Sequence, residues 1–297
     1  MARRMRSAGP GVASRDIDEE LSGLDALDLP VPAPPRAAHR LWAAAWPKLL
    51  AIALVVAVWQ VVVWSGWRPE SQLPAPATVL RRIVDDFGTI ATSTGVTLAR
   101  GAVGYPLAVA AGTLVGLAVA RVAVVRAALG SMFTGLLTMP SVAWFPFAVL
   151  LFGPTTGAVF FVMVGGAAPA AANGLITGID QIPPPLLRTG RMMGARRTTM
   201  LRYVILPAAL PSYVAGLKNA WAFAWRALLA GELLVRIPGA LSLGEQLDQA
   251  RAANDAAELL AVTLVILLIG TVIDALVFTS AERAIHRRYG LVDPATP

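Results

Sequence analysis

The sequence predicts an all-α integral membrane protein with about six transmembrane helices, on its composition and on the length of its apolar segments. Of the 297 residues, 56% are hydrophobic and 14% are charged, whereas about a quarter of the residues in a soluble domain are charged. The mean hydropathy is +0.64. A helix needs ~20 residues to cross ~30 Å of hydrocarbon, and six apolar segments are near or above that length: 49–64, 97–120, 128–153, 155–177, 203–233 and 257–281.

The composition also excludes several classes of site. The chain has no Cys, and its two His, His39 and His286, lie outside every apolar segment. Thiol chemistry is therefore excluded, and we expect neither a metal site nor catalytic residues. The net charge is +7, but the basic residues flank the apolar segments, as cytoplasmic Lys and Arg do in membrane proteins. We therefore expect no nucleic-acid partner.

The N-terminal segment 1–45 alternates basic, acidic and Pro-rich stretches and cannot bury a core, so it is predicted to be a mobile tail. Within it, Asp16–Asp28 is either a short amphipathic helix that seeks a partner or a solvated segment. The first apolar run ends in Trp59, Gln60 and Trp64 and has no small-residue cleavage site. It is therefore predicted to be a retained span and not a signal peptide.

The remaining chain is predicted to form an outer loop and five further spans. In loop 68–96, Thr78 is positioned to cap a short helix that reaches Phe87. The third span is expected to break at Pro140 and Pro146, and the fourth at Gly165, Gly166 and Pro169. Such breaks either line a cavity or are simple kinks. Since no internal repeat is visible, a two-fold pathway needs a second subunit.

Lys and Arg accumulate in cytoplasmic loops, so their distribution orients the chain. With a cytoplasmic N-terminus, most of them lie on the cytoplasmic side, and segments 68–96 and 234–256 and the turn near Gly153 lie outside. Both termini are therefore predicted to be cytoplasmic, in a multi-pass protein of the cell membrane. The predicted units are the N-terminal tail 1–45, the first span with the outer loop 46–96, a core 97–281 that contains the loop 178–206, and a C-terminal tail 282–297.

The loop 178–206 is predicted to contain a short cytoplasmic helix. Pro183–Pro185 fit the first turn of a helix, and Gly194 fits its end. Between them, apolar residues alternate with arginines, which gives an apolar ridge with a basic rim that suits a groove on another protein. The alternative is an ordinary positively charged loop. The ridge and rim consist of Leu186, Leu187, Met192 and Met193 with Arg188, Arg191, Arg196 and Arg197.

The residue sequence of this loop resembles that of the coupling loop of binding-protein-dependent ABC importer permeases. In that loop a Glu-Ala-Ala triplet precedes a Gly and an Ile-x-Leu-Pro ending. Gly194 stands at the position of that Gly, and Ile205, Leu206 and Pro207 lie at the ending. The order from Leu186 to Pro211 is most similar to the aliphatic-sulfonate, taurine and nitrate branch. Leu73–Pro76 and Ala230–Leu233 resemble that branch as well.

The resemblance implies a type I ABC importer permease fold and a transport subunit that is not an enzyme. It implies three protein partners: an ABC ATPase dimer that binds ATP and Mg²⁺, an extracytoplasmic solute-binding protein, and a second permease copy, expected to be identical. No cofactor is expected on this chain, which has no GxxxxGK[ST] motif. The residues implied to dock the ATPase are Leu186, Leu187, Arg188, Gly190, Met193, Gly194 and Ala195.

One departure from the family pattern lies within this helix. Arg188, Thr189 and Gly190 replace the Glu-Ala-Ala triplet. The charge at the Glu position is thus reversed, and Gly190 is expected to cost about 1 kcal/mol of helix propensity relative to Ala.

Ionisable residues inside a span need a partner, water or a route to the interface. Lys218 and Asp274 are spaced to form a structural ion pair. Arg226, beside Trp221 and Trp225, suits an oxyanion in a wet vestibule, unless it snorkels outward or pairs with Glu232 while the indoles pack. The predicted pathway residues are Trp144, Phe145, Trp221, Trp225 and Arg226.

The predicted function is therefore ATP-driven import of a small anion, with aliphatic sulfonate, taurine or nitrate as cargo. A thiamine precursor or another small heterocycle is an alternative cargo for similar permeases. An ATPase-independent secondary transporter would need carboxylates inside the spans, and Asp274 is the only deep one. A membrane-embedded enzyme would need a cluster of acids or a nucleophile with a base, and none can be assembled.

Overall fold

The computed structural model describes residues 37–122, 126, 135–237, 239 and 241–288, and within these ranges every regular element is helical. The all-α prediction is confirmed. Most of the predicted N-terminal tail, including Asp16–Asp28, the start of the predicted third span and the end of the C-terminal tail lie outside the described residues. By compactness the chain divides into Met1–Val58 and Trp59–Pro297.

The first helix, α1, spans Ala37–Trp64. It begins inside the predicted tail, in a stretch rich in Ala, the strongest helix former. Residues 49–58 are all apolar and all exposed, so this part of the helix is apolar on all sides. Such a helix suits the interior of a lipid bilayer.

The predicted outer loop contains a short helix, as expected, α2, Pro76–Asp85, and also the start of a long helix, α3, Phe87–Arg121. The predicted cap at Thr78 is wrong, because α2 starts at Pro76, whose fixed φ suits a first turn. Thr78 Oγ1 lies 3.3 Å from Glu70 Oε1 and donates to it instead. The outer loop is also shorter than predicted, because α3 starts at Phe87 and extends through the second span.

In the described part of the third span, residues 135–138 are helical and the helix stops before Pro140. A 3₁₀ turn, Ser141–Trp144, then leads into a short helix α4, Phe145–Phe152, which ends at Gly153 with φ +66°. The predicted break at Pro140 is present. Pro146, however, lies in the first turn of α4 and so starts this helix. Together these residues are shorter than a span. The described residues therefore contain five helices long and apolar enough to cross a membrane, with this segment in the position of a sixth.

The fourth span is α5, Thr156–Asp180, which continues unbroken through Gly165, Gly166 and Pro169. The predicted interruption is wrong. Most of α5 is buried or half-buried between its neighbours, and neighbouring helices allow a Pro to be tolerated inside a membrane helix.

The C-terminal half consists of short helices at the ends of two long ones. After α5 come α6, Pro184–Met192, α7, Arg197–Met200, a π-helical turn, Leu201–Ile205, and α8, Leu206–Leu234. Next are α9, Leu243–Ala252, and α10, Ala256–Ile273. A second π-helical turn, Asp274–Phe278, leads into α11, Thr279–Arg288.

The core of the second unit is α5 packed between α3 and α8, and small residues permit the close approach. On α3, an added Cβ at Gly112 would lie 2.4 Å from the carbonyl oxygen of Ala168 on α5. On α5, an added Cβ at Gly174 would lie 2.5 Å from the Cα of Gly216 on α8. Gly104 and Gly116 on α3 also face α5 closely, since an added Cβ would lie 2.6 Å from Met163 Sδ and 3.1 Å from the carbonyl oxygen of Ala172 respectively.

Candidate functional site

The predicted coupling helix is α6. Pro184 and Pro185 occupy its first turn, where the missing N–H groups would have no helical acceptor. Gly194 terminates the segment with φ +78°, and the amide of Ala195 donates to the carbonyl of Gly190 across 3.0 Å. This closing arrangement needs a residue that adopts positive φ without strain, which explains the glycine.

One face of α6 packs against the segment that leads into α8. Gly190 is buried, and an added Cβ there would lie 3.0 Å from Met200 Sδ and 3.4 Å from Val204 Cγ2. The glycine that replaces the family's Ala therefore brings α6 close to the π-helical turn Leu201–Ile205. Gly190 thus lowers the helix propensity of α6 but allows this helix to pack closely against Met200 and Val204.

The other face of α6 is open. Leu186 is 44% exposed, Met192 80% and Met193 82%, while Leu187 and Ala195 are half-buried. Among the described residues, no carboxylate lies within 4.0 Å of the charged groups of the loop arginines, including Arg188. The helix thus presents an apolar edge with a positively charged rim. We call Leu186, Met192 and Met193 the coupling edge.

A polar groove lies where α5 crosses α8 at Gly174 and Gly216. Its volume is about 350 Å³, and Ser212 Oγ donates to Gln181 Oε1 across 3.2 Å. Of residues 156–179, all of which the structure describes, only Asn173 is exposed. An exposed amide inside an apolar span is costly against lipid. The groove is lined by the polar residues Asn173, Thr177, Gln181, Ser212 and Asn219.

Sequence reasoning missed this groove, although α8 contained a signal for it. Ser212, Asn219 and Arg226 recur every seven residues, which places them on one side of a helix. The exposed residues of α8 between 211 and 233 follow that side: Ala215, Asn219, Ala222 and Arg226. We call these four residues the exposed stripe.

Arg226 bends back along α8 toward its N-terminus. Its Nε donates to the carbonyl of Ala222 across 2.9 Å, and Cζ lies 4.9 Å from the centre of the Phe223 ring. The guanidinium therefore points away from Leu234, the nearer end of α8. The alternative partner, Glu232, is bound by Arg100 with Nη1 and Oε1 2.9 Å apart.

The aromatic candidates are mainly packing residues. Trp221 and Trp225 are each 8% exposed, with their ring centres 5.7 Å apart. They nevertheless line one side of an open pocket of about 560 Å³ that also includes Arg226 and Asp274. Trp144 is half-buried. Phe145 is 3% exposed, and its ring is 2.7 Å from where a Cβ on Gly231 would lie.

The structure brings Lys218 and Asp274 together. Lys218 Nζ lies 3.6 Å from Asp274 Oδ2 and 3.3 Å from Glu282 Oε2. The second carboxylate was missed because it lies beyond the predicted end of the sixth span, whereas the second π-helical turn and α11 continue the same helix. The three charges connect α8 to this helix.

A buried ionic network fixes the predicted outer ends of the core. Glu232 is 1% exposed and accepts hydrogen bonds from Thr97 Oγ1 at 2.8 Å and from the amide of Gly244. Thr97 Oγ1 in turn accepts from the amide of Leu243. The first turn of α9 is thereby held between α3 and α8. Further along α9, hydrogen bonds from Arg251 and Arg236 lower the pKa of Asp248.

The described residues contain no group of three or more His, Asp or Glu placed to hold a metal ion.

A family model described as binding-protein-dependent transport system inner membrane component matches residues 108–288. The nitrate import permease protein NrtB of Synechococcus elongatus is 29% identical, over 63% of this chain and 71% of that protein. The putative aliphatic sulfonates transport permease protein SsuC of Bacillus subtilis is 25% identical, over 78% of this chain and 84% of that protein. The taurine transport system permease protein TauC of Escherichia coli is 28% identical, over 63% of this chain and 71% of that protein.

Solved structures confirm the predicted fold class. The inward-facing MetNI methionine ABC transporter matches with a TM-score of 0.52 and 21% identity, over 64% of this chain and 92% of that chain. An amino acid ABC transporter matches with a TM-score of 0.53 and 19% identity, over 70% and 97%. At these identities the likeness concerns the fold alone.

Proposed function

The chain belongs to the family of binding-protein-dependent transport system inner membrane components, and from this premise we propose that it imports a small anion as the permease subunit of an ABC importer. Nitrate, taurine and aliphatic sulfonates are the proposed cargo class. A solute-binding protein delivers the anion from outside, and the N- and C-termini face the cytoplasm, as the distribution of Lys and Arg favours. ATP and Mg²⁺ bind to a separate ATPase dimer.

The observation that best supports this function is the coupling edge. Leu186, Met192 and Met193 are exposed at the tip of a helix whose opposite face is packed through Gly190. An amphipathic helix of this kind fits an apolar groove on a partner. The proposed partner is the ATPase subunit.

The chain offers a direct route for force from α6 to the pathway. Gly190 contacts the segment at Met200 and Val204, and residues Arg197–Leu234 form one continuous helical rod. Since a packed helix moves as a unit, a displacement of α6 reaches the exposed stripe on α8. ATP binding would close the ATPases and open the cavity outward, and hydrolysis would reset it.

The reversed charge at Arg188 has a consequence for the partner. Its guanidinium is exposed and has no described carboxylate within 4.0 Å. A groove that receives this helix should therefore present an Asp or Glu to Arg188, because Arg and carboxylate form strong paired hydrogen bonds.

The anion pathway is proposed to follow the polar groove and the exposed stripe, facing a second copy of the chain. Asn173, Asn219 and Arg226 would be costly against lipid but suit a wet cavity between two permease subunits. Arg226 is the cation positioned to bind the anion, because its remaining N–H groups have no described carboxylate partner. The relatives named for nitrate, taurine and sulfonates support an anionic cargo.

The docking proposal is tested by co-purification. The chain is co-expressed with the ABC ATPase encoded next to it, as wild type and as Met193→Asp. We expect wild type to retain the ATPase and Met193→Asp to lose at least ~90% of it, because a charge on the coupling edge must be desolvated in an apolar groove.

Ala253→Asp is the matched control, since it adds the same charge at an exposed position after α9. It should retain the ATPase as wild type does. A wild-type chain that inserts in the membrane but recovers no ATPase, or a Met193→Asp variant that retains it in full, would refute docking through this helix.

A further inference from the structure

A second pocket lies at the ends of α3, α5 and α7, on the same side of the spans as α6. Its volume is about 360 Å³. The last turn of α3, the end of α5, the start of α7 and the first π-helical turn form its walls. We call it the two-arginine pocket, and its principal lining residues are Leu117, Arg121, Ile179, Arg197, Leu201 and Ile205.

The charge in this pocket is not balanced by described acids. Arg121 and Arg197 are exposed, and neither has a described carboxylate within 4.0 Å. Asp180 follows directly after the lining residue Ile179, but its Oδ1 is bound by Arg126. Two guanidinium groups therefore remain available to an anion.

The rest of the pocket is apolar. Leu117 and Ile179 belong to the ends of two spans, and Leu201 and Ile205 precede a third. A free inorganic anion would use the guanidiniums but would gain nothing from this wall. A phospholipid with an acidic head group uses both, because its phosphate reaches the cations while an acyl chain covers the aliphatic side chains.

We propose that the two-arginine pocket binds an acidic phospholipid of the cytoplasmic leaflet. The assignment to that leaflet rests on the proposed function, which places α6 on the cytoplasmic side. The phosphate would bridge Arg121 on α3 and Arg197 on α7. Since α7 lies between the coupling helix and α8, such a bridge ties α3 to the segment proposed to move.

Binding is tested on the purified chain without its ATPase. The chain is delipidated in detergent and titrated separately with phosphatidylglycerol and phosphatidylcholine, and bound lipid is counted by native mass spectrometry. We expect phosphatidylglycerol to bind at least ~10-fold more tightly than phosphatidylcholine, because phosphatidylglycerol has a net negative charge, whereas the choline ammonium neutralises the phosphate of phosphatidylcholine. Arg121→Gln/Arg197→Gln should abolish that preference.

Two controls distinguish a specific site from general charge and from misfolding. Arg81→Gln/Arg283→Gln removes two exposed arginines outside the pocket and should retain the preference. Arg121→Lys/Arg197→Lys keeps both charges and should keep most of the binding. Millimolar inorganic phosphate should not displace the lipid, because it lacks an acyl chain.

Several outcomes would overturn the lipid site. They are equal binding of the two lipids, an undiminished preference in the Gln double variant, or displacement by phosphate. Loss of ATPase co-purification in the Gln variant with unchanged lipid binding would assign the two arginines to the ATPase. Because lipid is counted without the ATPase, a failure of coupling-helix docking leaves this result interpretable.

Discussion

At the scale of single residues, the contacts of Arg226 bear on whether it has a structural or a transport role. An arginine near a helix end usually extends toward the interface, whereas this one folds over Phe223 and binds the carbonyl of Ala222. Glu232, the nearest acid along the helix, is used by Arg100 and Thr97. A charged group left in this position needs water or an anionic ligand.

Arg226→Gln should therefore reduce cargo-dependent transport while leaving the assembly intact. A hydrogen bond to a charged group contributes about 1.5–3 kcal/mol, so we expect a ~10–100-fold loss in the transport efficiency for the anion. The measurement is uptake of nitrate and of taurine into proteoliposomes that contain the permease, its ATPase and the binding protein. Arg226→Lys should retain part of the activity.

Arg81→Gln on α2 is the control for loss of an exposed arginine. The assignment of Arg226 to the pathway would be wrong if Arg226→Gln transported both anions at the wild-type rate.

At the scale of elements, close backbone approach between α5 and α8 forms the floor of the groove. The two helices meet at Gly174 and Gly216, where an added Cβ would be 2.5 Å from backbone. By contrast, an added Cβ on Gly190 of α6 meets the flexible end of Met200, which can rotate away. A methyl group at Gly174 would therefore have to displace backbone, whereas one at Gly190 would displace only the end of a side chain.

Gly174→Ala should destabilise the folded protein, because neither backbone can yield without separating the helices. Overpacking a tight contact costs about 1–3 kcal/mol, and we expect a melting temperature several degrees below wild type in detergent. Gly165→Ala is the matched control on the same helix, since an added Cβ there has nothing within 4 Å. It should melt at or above the wild-type temperature. Equal melting temperatures for the two variants would refute the close contact.

At the scale of the whole molecule, the second unit leaves polar residues exposed at the level of its spans. Asn173 on α5 and Asn219 and Arg226 of the exposed stripe are exposed polar residues within apolar spans. Lipid cannot satisfy these groups. We therefore expect water to reach them in the assembled transporter, between two copies of the chain.

Thiol labelling tests this expectation against a clean background, because the chain contains no Cys. Asn219→Cys should react with a membrane-impermeant anionic thiosulfonate in vesicles opened to both faces, since the reaction needs the hydrated thiolate. Leu268→Cys is the control, because Leu268 is 62% exposed on the apolar surface of α10. It should remain unlabelled. Labelling of Leu268→Cys alone would contradict the expectation, because it would mean that Leu268 faces water and Asn219 faces lipid.

The sequence by itself determined the membrane class, the family, the presence of the short helix α6 and most of the long spans. Each of these depends on properties that are local in the chain. Apolar length gives the spans, Pro184 and Gly194 bound α6, and the motif from Leu186 to Pro211 indicates the family. The exact ends were less accurate, because the short helix starts at Pro76 and not after Thr78, and α3 starts at Phe87, inside the predicted outer loop.

Only the tertiary structure decided which residues meet. The sequence indicated charges at Arg226 and Glu232 but not that Arg100 takes the acid, since the partner is supplied by α3, which is distant in the chain. The sequence indicated only that Gly190 lowers the helix propensity of α6, whereas in the structure this glycine allows α6 to pack closely against Met200. The polar groove was overlooked because Asn173 and Ser212 belong to different helices. Contacts between helices depend on their crossing, and the crossing at Gly174 and Gly216 is set by the fit of two surfaces, which no single segment encodes.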